Sequence, residues 1–224
     1  MALNVNVDVF SNKDIREAVT VIRDVASRRK LGIPRWDNVL DMYPYSGTVV
    51  IPVKIGARVF KEPFYFVIEK VNDRESLRIK PVKGDQWSLG DVYGFFGLYD
   101  FFDYTLDMPI LVVEGLSDWA AVKPYYKYTL SSLSAWVGYR QCFFISGISS
   151  NIFLGYDLDE TGDKNKNRNS ETLNKMGANV GFLQPPQKDW GHMFESDFGK
   201  MLLEKTMLGF MEKVNSINRK ILYK

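Results

Sequence analysis

Cysteine and histidine are nearly absent: Cys142 and His192 are the only examples in 224 residues. A lone cysteine excludes an intramolecular disulfide, and one residue of each kind cannot supply the four side-chain ligands of a structural zinc site. No apolar run approaches the roughly 18 residues that a membrane span requires. The opening MALNVNVDVFSNKD has no basic segment ahead of an apolar core, so it does not read as a secretory signal, and a cytoplasmic protein is expected. Internal repeats and low-complexity tracts are missing too. A large net charge is also lacking, at +2 from 29 basic and 27 acidic side chains.

The distribution of charge is less even than its sum. Residues 51–90 carry eight basic and five acidic side chains, and 164–224 carry eleven and six. Between them, residues 91–118 hold six acids and no base. Basic segments flanking an acidic block suit a phosphate-rich partner held beside a divalent cation. Solvated surface accounts for the same pattern, so composition proposes this partner without deciding it.

Apolar periodicity predicts a helix over 11–31, with Ser11 as its cap and Ile15, Val19, Ile22 and Ala26 on one face, stopped by Gly32 and Pro34. From Tyr43 to Lys83 the runs GTVVIPV (47–53), FYFVIEKV (64–71) and SLRIKPV (76–82) read as strands of a small antiparallel lobe. Lys54, Arg58, Lys61, Lys70, Arg78, Lys80 and Lys83 give that lobe its basic character. YGFFGLYDFF (93–102) reads as a packed connection. PILVVEG (109–115) is almost wholly apolar, as in a strand inside a parallel sheet, and NIFLGYD (151–157) repeats the style. Further expected elements are a short helix after Gly115, strands at 128–130 and 179–186, a helix over 170–176, a loop over 188–197 and a final helix over 198–222. The division that follows is an N-terminal helical segment (1–42), a basic mixed α+β lobe (43–108), an α/β domain with a mostly parallel sheet (109–195) and a C-terminal helix (196–224).

Acids stand where the apolar strands end. Glu114 leaves the first, with Asp118 four residues on; Asp157 and Asp159 leave the second; Asp189 follows the third, beside Lys188. Ligands of open α/β sheets collect at the C-terminal ends of the strands. Carboxylates converging there offer the hard oxygen donors that Mg²⁺ or Mn²⁺ takes. Taken singly, each acid is more often a helix cap or a turn residue, and it is the repetition of the pattern that points to a cation.

At these residues the sequence resembles the Toprim family, the fold shared by bacterial-type primases, topoisomerases and several nucleases. LVVEGLSD (111–118) matches its Glu-Gly motif and GYDLDETG (155–162) its Asp-x-Asp motif, in the family's order. GTVVIPVK (47–54), RIKPVKG (78–84) and YGFFGLYDF (93–101) resemble elements that precede Toprim in the catalytic core of bacterial- and phage-type DNA primases. KDWGHMFE (188–195) matches the third acidic motif at Lys188 and Asp189 and departs from it at Gly191 and His192.

The resemblance implies a primase-type RNA polymerase core that makes short primers on single-stranded DNA from ribonucleoside triphosphates, by nucleotidyl transfer dependent on Mg²⁺ or Mn²⁺. It implies catalytic roles for Glu114, Asp157 and Asp159, a metal centre drawing also on Asp118 and Asp189, and phosphate or template contacts from Lys54, Arg78, Lys80, Lys83, Lys164, Lys166, Arg168 and Lys188. Primases of this type carry a zinc-binding domain that the Cys and His count excludes here. A replicative helicase or a separate template-recognition protein is therefore an expected partner. Cytoplasm of a bacterium, or of the host if the source is viral, is the expected location. A Toprim nuclease and a non-catalytic nucleic-acid-binding accessory protein are the alternatives. Trp119, Trp136 and Trp190 are either base-stacking platforms or buried, with burial the commoner fate. His192 is expected at the surface, Cys142 buried, and TGDKNKNRNSE (161–171) is expected as an exposed loop.

Overall fold

The computed structural model describes residues 43–45, 48–53, 64–70, 77–81, 95–98, 108–134 and 137–222. The helix expected over 11–31, the basic residues Lys54, Arg58, Lys61 and Lys83, and Trp136 lie outside the described residues. The chain divides into two compact units, Met1–Trp87 and Ser88–Lys224.

In the first unit, β1 (Tyr43–Tyr45), β2 (Thr48–Val53), β3 (Phe64–Lys70) and β4 (Leu77–Pro81) form a sheet in sequence order. Every pairing is antiparallel, as the β-branched and aromatic runs predict. In the β3–β4 register Arg78 stands opposite Glu69 and Lys80 opposite Val67.

The second unit is built on a parallel sheet. Its elements are β5 (Ile110–Val113), α1 (Leu116–Val122), β6 (Thr129–Ser131), α2 (Tyr139–Ser146), β7 (Asn151–Gly155), α3 (Glu160–Lys175), β8 (Asn179–Phe182), a 3-10 turn at His192–Glu195 and α4 (Asp197–Leu222). The spatial order is β6-β5-β7-β8, so the two apolar strands sit at the centre. All four residues of β5 are buried, because both faces of a central parallel strand are covered. Side chains alternate between those faces. Ile110, Val112, Leu130, Ile152 and Leu154 join one core with Cys142 and Ile145 of α2 and Leu173 of α3. Phe153 belongs to the other face, where Phe210 of α4 meets it edge-on with ring centres 5.0 Å apart. The segment around Phe96 closes the β6 edge through an antiparallel bridge to Ser131, while Phe95 and Leu98 enter the core.

Two expectations are corrected. The tract 161–171 is helix rather than loop, since α3 begins at Glu160 and not near Ser170. Its surface is polar almost all round, so apolar periodicity is weak. Its start is set instead by Asp159, whose carboxylate accepts the Gly162 N–H, and its first turn adds Glu160 and Asp163 at the positive end of the helix dipole. Helix α2 has no counterpart in the sequence reading. Its aromatic-rich YRQCFFIS has modest helix propensity, and a buried Gln141 whose side-chain oxygen accepts the Gly138 N–H at 3.0 Å secures its first turn.

Candidate functional site

The geometry of the site begins with strand register. Val113, the last residue of β5, pairs with Gly155, the last residue of β7, so the chain leaves both strands at one level. From β5 the chain crosses to β6 on one side and then returns to β7 on the other. The β5–β7 junction is thus the topological switch point, where open α/β sheets bind ligands. Glu114 and Asp157 flank it. Glu114 Oε1 accepts the backbone N–H of Asp157 at 3.1 Å, tying the two strand ends together across 43 residues.

Helix α3 comes very close to this junction because residue 162 has no side chain. An ideal Cβ on Gly162 would lie within van der Waals overlap of the Asp157 carbonyl oxygen, at 2.3 Å, and 3.2 Å from Glu114 Oε1. Asp159 has its structural role as the α3 cap, with Oδ1 accepting the Gly162 N–H at 2.6 Å. Asp118, in the first turn of α1, is 4 % exposed. Its Oδ2 accepts the Gly115 N–H at 2.9 Å and its Oδ1 the Gly191 N–H at 3.0 Å. Asp189 Oδ1 accepts the His192 N–H at 2.5 Å.

The loop after β8 lies against these acids. The Leu158 N–H donates to the Lys188 carbonyl at 2.9 Å. Trp190 is fully buried and its indole N–H donates to the Gly155 carbonyl at 2.8 Å, so this tryptophan is a structural pin and not a stacking surface. Trp119 is likewise buried, donating to the Thr129 carbonyl at 2.9 Å. His192 is exposed and Cys142 buried, as expected.

No basic side chain is bonded to any of these carboxylates in the contacts described. Burial first, then the charges of Asp118, Asp159 and Asp189, push Glu114 up to about 7 against the lowering pull of the Asp157 N–H. Burial and the neighbouring acids raise Asp157 as well. Asp118 is raised by burial and by Asp189, although backbone N–H groups oppose this. Oδ1 of Asp157 is buried and takes no hydrogen bond. A buried, partnerless carboxylate oxygen among other acids is the chemistry a hard cation satisfies, and the donors are all oxygen. Among the described residues no three acids close into a complete ligand set. Mg²⁺ commonly takes only one or two carboxylates and fills its shell from water and phosphate, so the donor set fits.

The expected basic contacts divide by position. Lys164 and Arg168 are exposed one turn apart on α3, whereas Lys166 pairs with Asp163 and lies over the Phe182 ring, 5.7 Å from its centre. Lys188 is exposed in the loop beside Asp189. Arg78 and Lys80 occupy alternate positions of β4 in the other unit.

Sequence reasoning missed Asn169 and Tyr156. Both are buried, and they are bonded to each other. With the Asn169 amide set to satisfy its surroundings, its nitrogen donates to the Val137 carbonyl at 3.1 Å, while its oxygen accepts from Val137 N–H at 3.2 Å and from the Tyr156 hydroxyl at 2.8 Å. The signal was the spacing of Gly162, Asn169 and Leu173, which forms the one buried stripe on α3.

Neither a family model nor a curated protein sequence matches this chain. Solved structures do. The E. coli primase catalytic core is 24% identical, with a TM-score of 0.53, over 72% of this chain and 52% of that one. A DnaG primase catalytic domain bound to single-stranded DNA is 23% identical, with a TM-score of 0.54, over 72% and 51%. The primase fragment of the bacteriophage T7 primase-helicase protein is 18% identical, with a TM-score of 0.51, over 71% and 64%. The fold is therefore that of primase catalytic cores, α/β and Toprim-like, and the chain spans about half the length of the two bacterial-type structures.

Proposed function

We propose that the protein is a primase-type RNA polymerase core that extends short RNA on single-stranded DNA. Asp157 carries this reading: at the switch point of a primase-like fold, its buried and unpartnered oxygen sits among acids to which no described basic side chain is bonded. Glu114, Asp157 and Asp159 are the acids of which one or two would hold Mg²⁺ or Mn²⁺, the rest of its shell coming from water and phosphate, with Asp189 at the margin. The ion, when bound, supplies the positive charge that nucleotidyl transfer needs at the phosphates. The reaction joins the 3′-hydroxyl of the primer to the α-phosphate of an incoming ribonucleoside triphosphate and releases pyrophosphate. Glu114 is the acceptor for the hydroxyl proton. The close approach of Gly162 to the Asp157 carbonyl and the Trp190 bond to the Gly155 carbonyl brace the main chain at the end of β7, so the acids are held in place before substrate arrives. Lys164, Arg168 and Lys188, with Arg78 and Lys80, supply phosphate contacts, which position nucleic acid without reading its sequence. A template-recognition protein or a replicative helicase is the corresponding partner. On the described residues no helix is long and apolar enough to cross a membrane.

The test is incubation of the whole chain with single-stranded DNA, labelled ribonucleotides and Mg²⁺ or Mn²⁺. Short RNA products, abolished in Glu114→Gln and Asp157→Asn, are expected. DNA cleavage without added nucleotides identifies a Toprim nuclease instead. DNA binding with neither activity identifies an accessory protein.

A further inference from the structure

Among the acids gathered at the switch point, Asp118 is bonded unlike the rest. Asp157 has an oxygen that no group satisfies. Asp118, by contrast, has a backbone N–H on each oxygen: Gly115 at one end of its own helical turn, and Gly191 from a loop 73 residues away. Hydrogen bonds to a buried carboxylate are short, strong and directional. Their geometry fixes what the carboxylate holds as firmly as where it points.

What Asp118 holds is the loop carrying Asp189. Three bonds fasten that loop to three different parts of the sheet end. Lys188 receives the Leu158 N–H, Trp190 donates to Gly155, and Gly191 donates to Asp118. The last of these needs a bare residue at 191, because an ideal Cβ there would stand 2.9 Å from the Cβ of Ser117. The loop is seated directly on the first turn of α1.

We propose that Asp118 is a positioning residue that seats the 188–191 loop, and through it Asp189, on the acidic end of the sheet, and that it contributes no ligand of its own to a divalent ion. The part concerning the ion rests on the metal-dependent reading above; the part concerning the loop does not.

Two measurements on the full chain separate these parts. The first is amide hydrogen exchange at Gly191 without metal. Asp118→Asn speeds it about tenfold or more, as expected when a buried charge-assisted bond is lost. Gly191→Ala, which keeps every acid, loosens the loop in the same way, judged by the neighbouring His192 amide. Ser117→Gly added to Gly191→Ala restores protection by removing the atom that the new methyl strikes. That rescue is specific to loop seating and would not follow from a general loss of stability. The second measurement is Mn²⁺ affinity, with the ion alone. Asp118→Asn weakens it only as far as Asp189→Asn does, and the double variant stays within about twofold of Asp189→Asn, because the two act in series. A double variant about tenfold or more weaker than Asp189→Asn shows that Asp118 acts on the ion independently of Asp189 and overturns the proposal. Unchanged Gly191 exchange in Asp118→Asn also overturns it, whether or not Mn²⁺ binds. Wild-type protein that binds no Mn²⁺ overturns the ion part and the metal-dependent reading, while the exchange data still decide the loop.

Discussion

Glu114 and Asp157 hold like charges close together, and without a bound cation that arrangement opposes folding. The sign follows from Glu114, whose carboxyl is pushed up from an ordinary 4.5 to about 7. The folded protein then binds this proton more tightly than the unfolded chain. The stability linked to it is complete below about pH 4.5 and is lost as pH rises through about 7. Metal-free protein is therefore expected to unfold at lower urea concentration at pH 8 than at pH 6, with added Mg²⁺ or Mn²⁺ recovering the difference. A urea midpoint that rises with pH in chelator would contradict this. Asp157→Asn removes a buried charge that no described group bonds, so this variant is expected to be more stable than wild type in chelator at pH 8, by about 1 kcal/mol, and to gain less from added metal.

At the scale of elements, contact between α3 and the strand ends governs the site. Gly162→Ala puts a methyl group against the Asp157 carbonyl, where backbone cannot move aside. A loss of about 2–3 kcal/mol, in the range for overpacking a close contact, is expected in urea unfolding, together with loss of primer synthesis. The legibility of each element tracks the distance over which its cause acts. β5 and β7 were evident because a central parallel strand writes its burial into a few consecutive residues. Their terminal acids were evident for the same reason. The pattern places the start of α3 ten residues late, since a polar helix held by a cap and by a sparse stripe of Gly162, Asn169 and Leu173 carries little local pattern. α2 escaped because its stability comes from Cys142 and Ile145 packing on distant strands. The seats of Asp118 and Trp190 depend on partners 73 and 35 residues away, which no local reading supplies.

Across the whole molecule, the two units differ in kind. One is an antiparallel meander with basic residues at alternate positions of its last strand, and the other a parallel sheet with acids at its end. A divalent ion is expected to act on the second alone. Hydrogen exchange read by mass spectrometry should show Mg²⁺ slowing peptides that contain 110–118, 151–162 and 188–192, with those from 43–81 unchanged. Equal protection across both sheets would place the ion elsewhere.

The β5–β7 register has one more consequence. Because Glu114 grips the main chain of Asp157 rather than its carboxyl, the spacing between the two acids is measured out by the sheet, as by a ruler whose marks are peptide bonds. Side chains have no means of resetting it. Lengthening the acid by one methylene, in Asp157→Glu, keeps the charge but carries the oxygens about 1.5 Å beyond that mark. Activity should fall as far as in Asp157→Asn, so the ruler, and not charge alone, decides where an ion can sit.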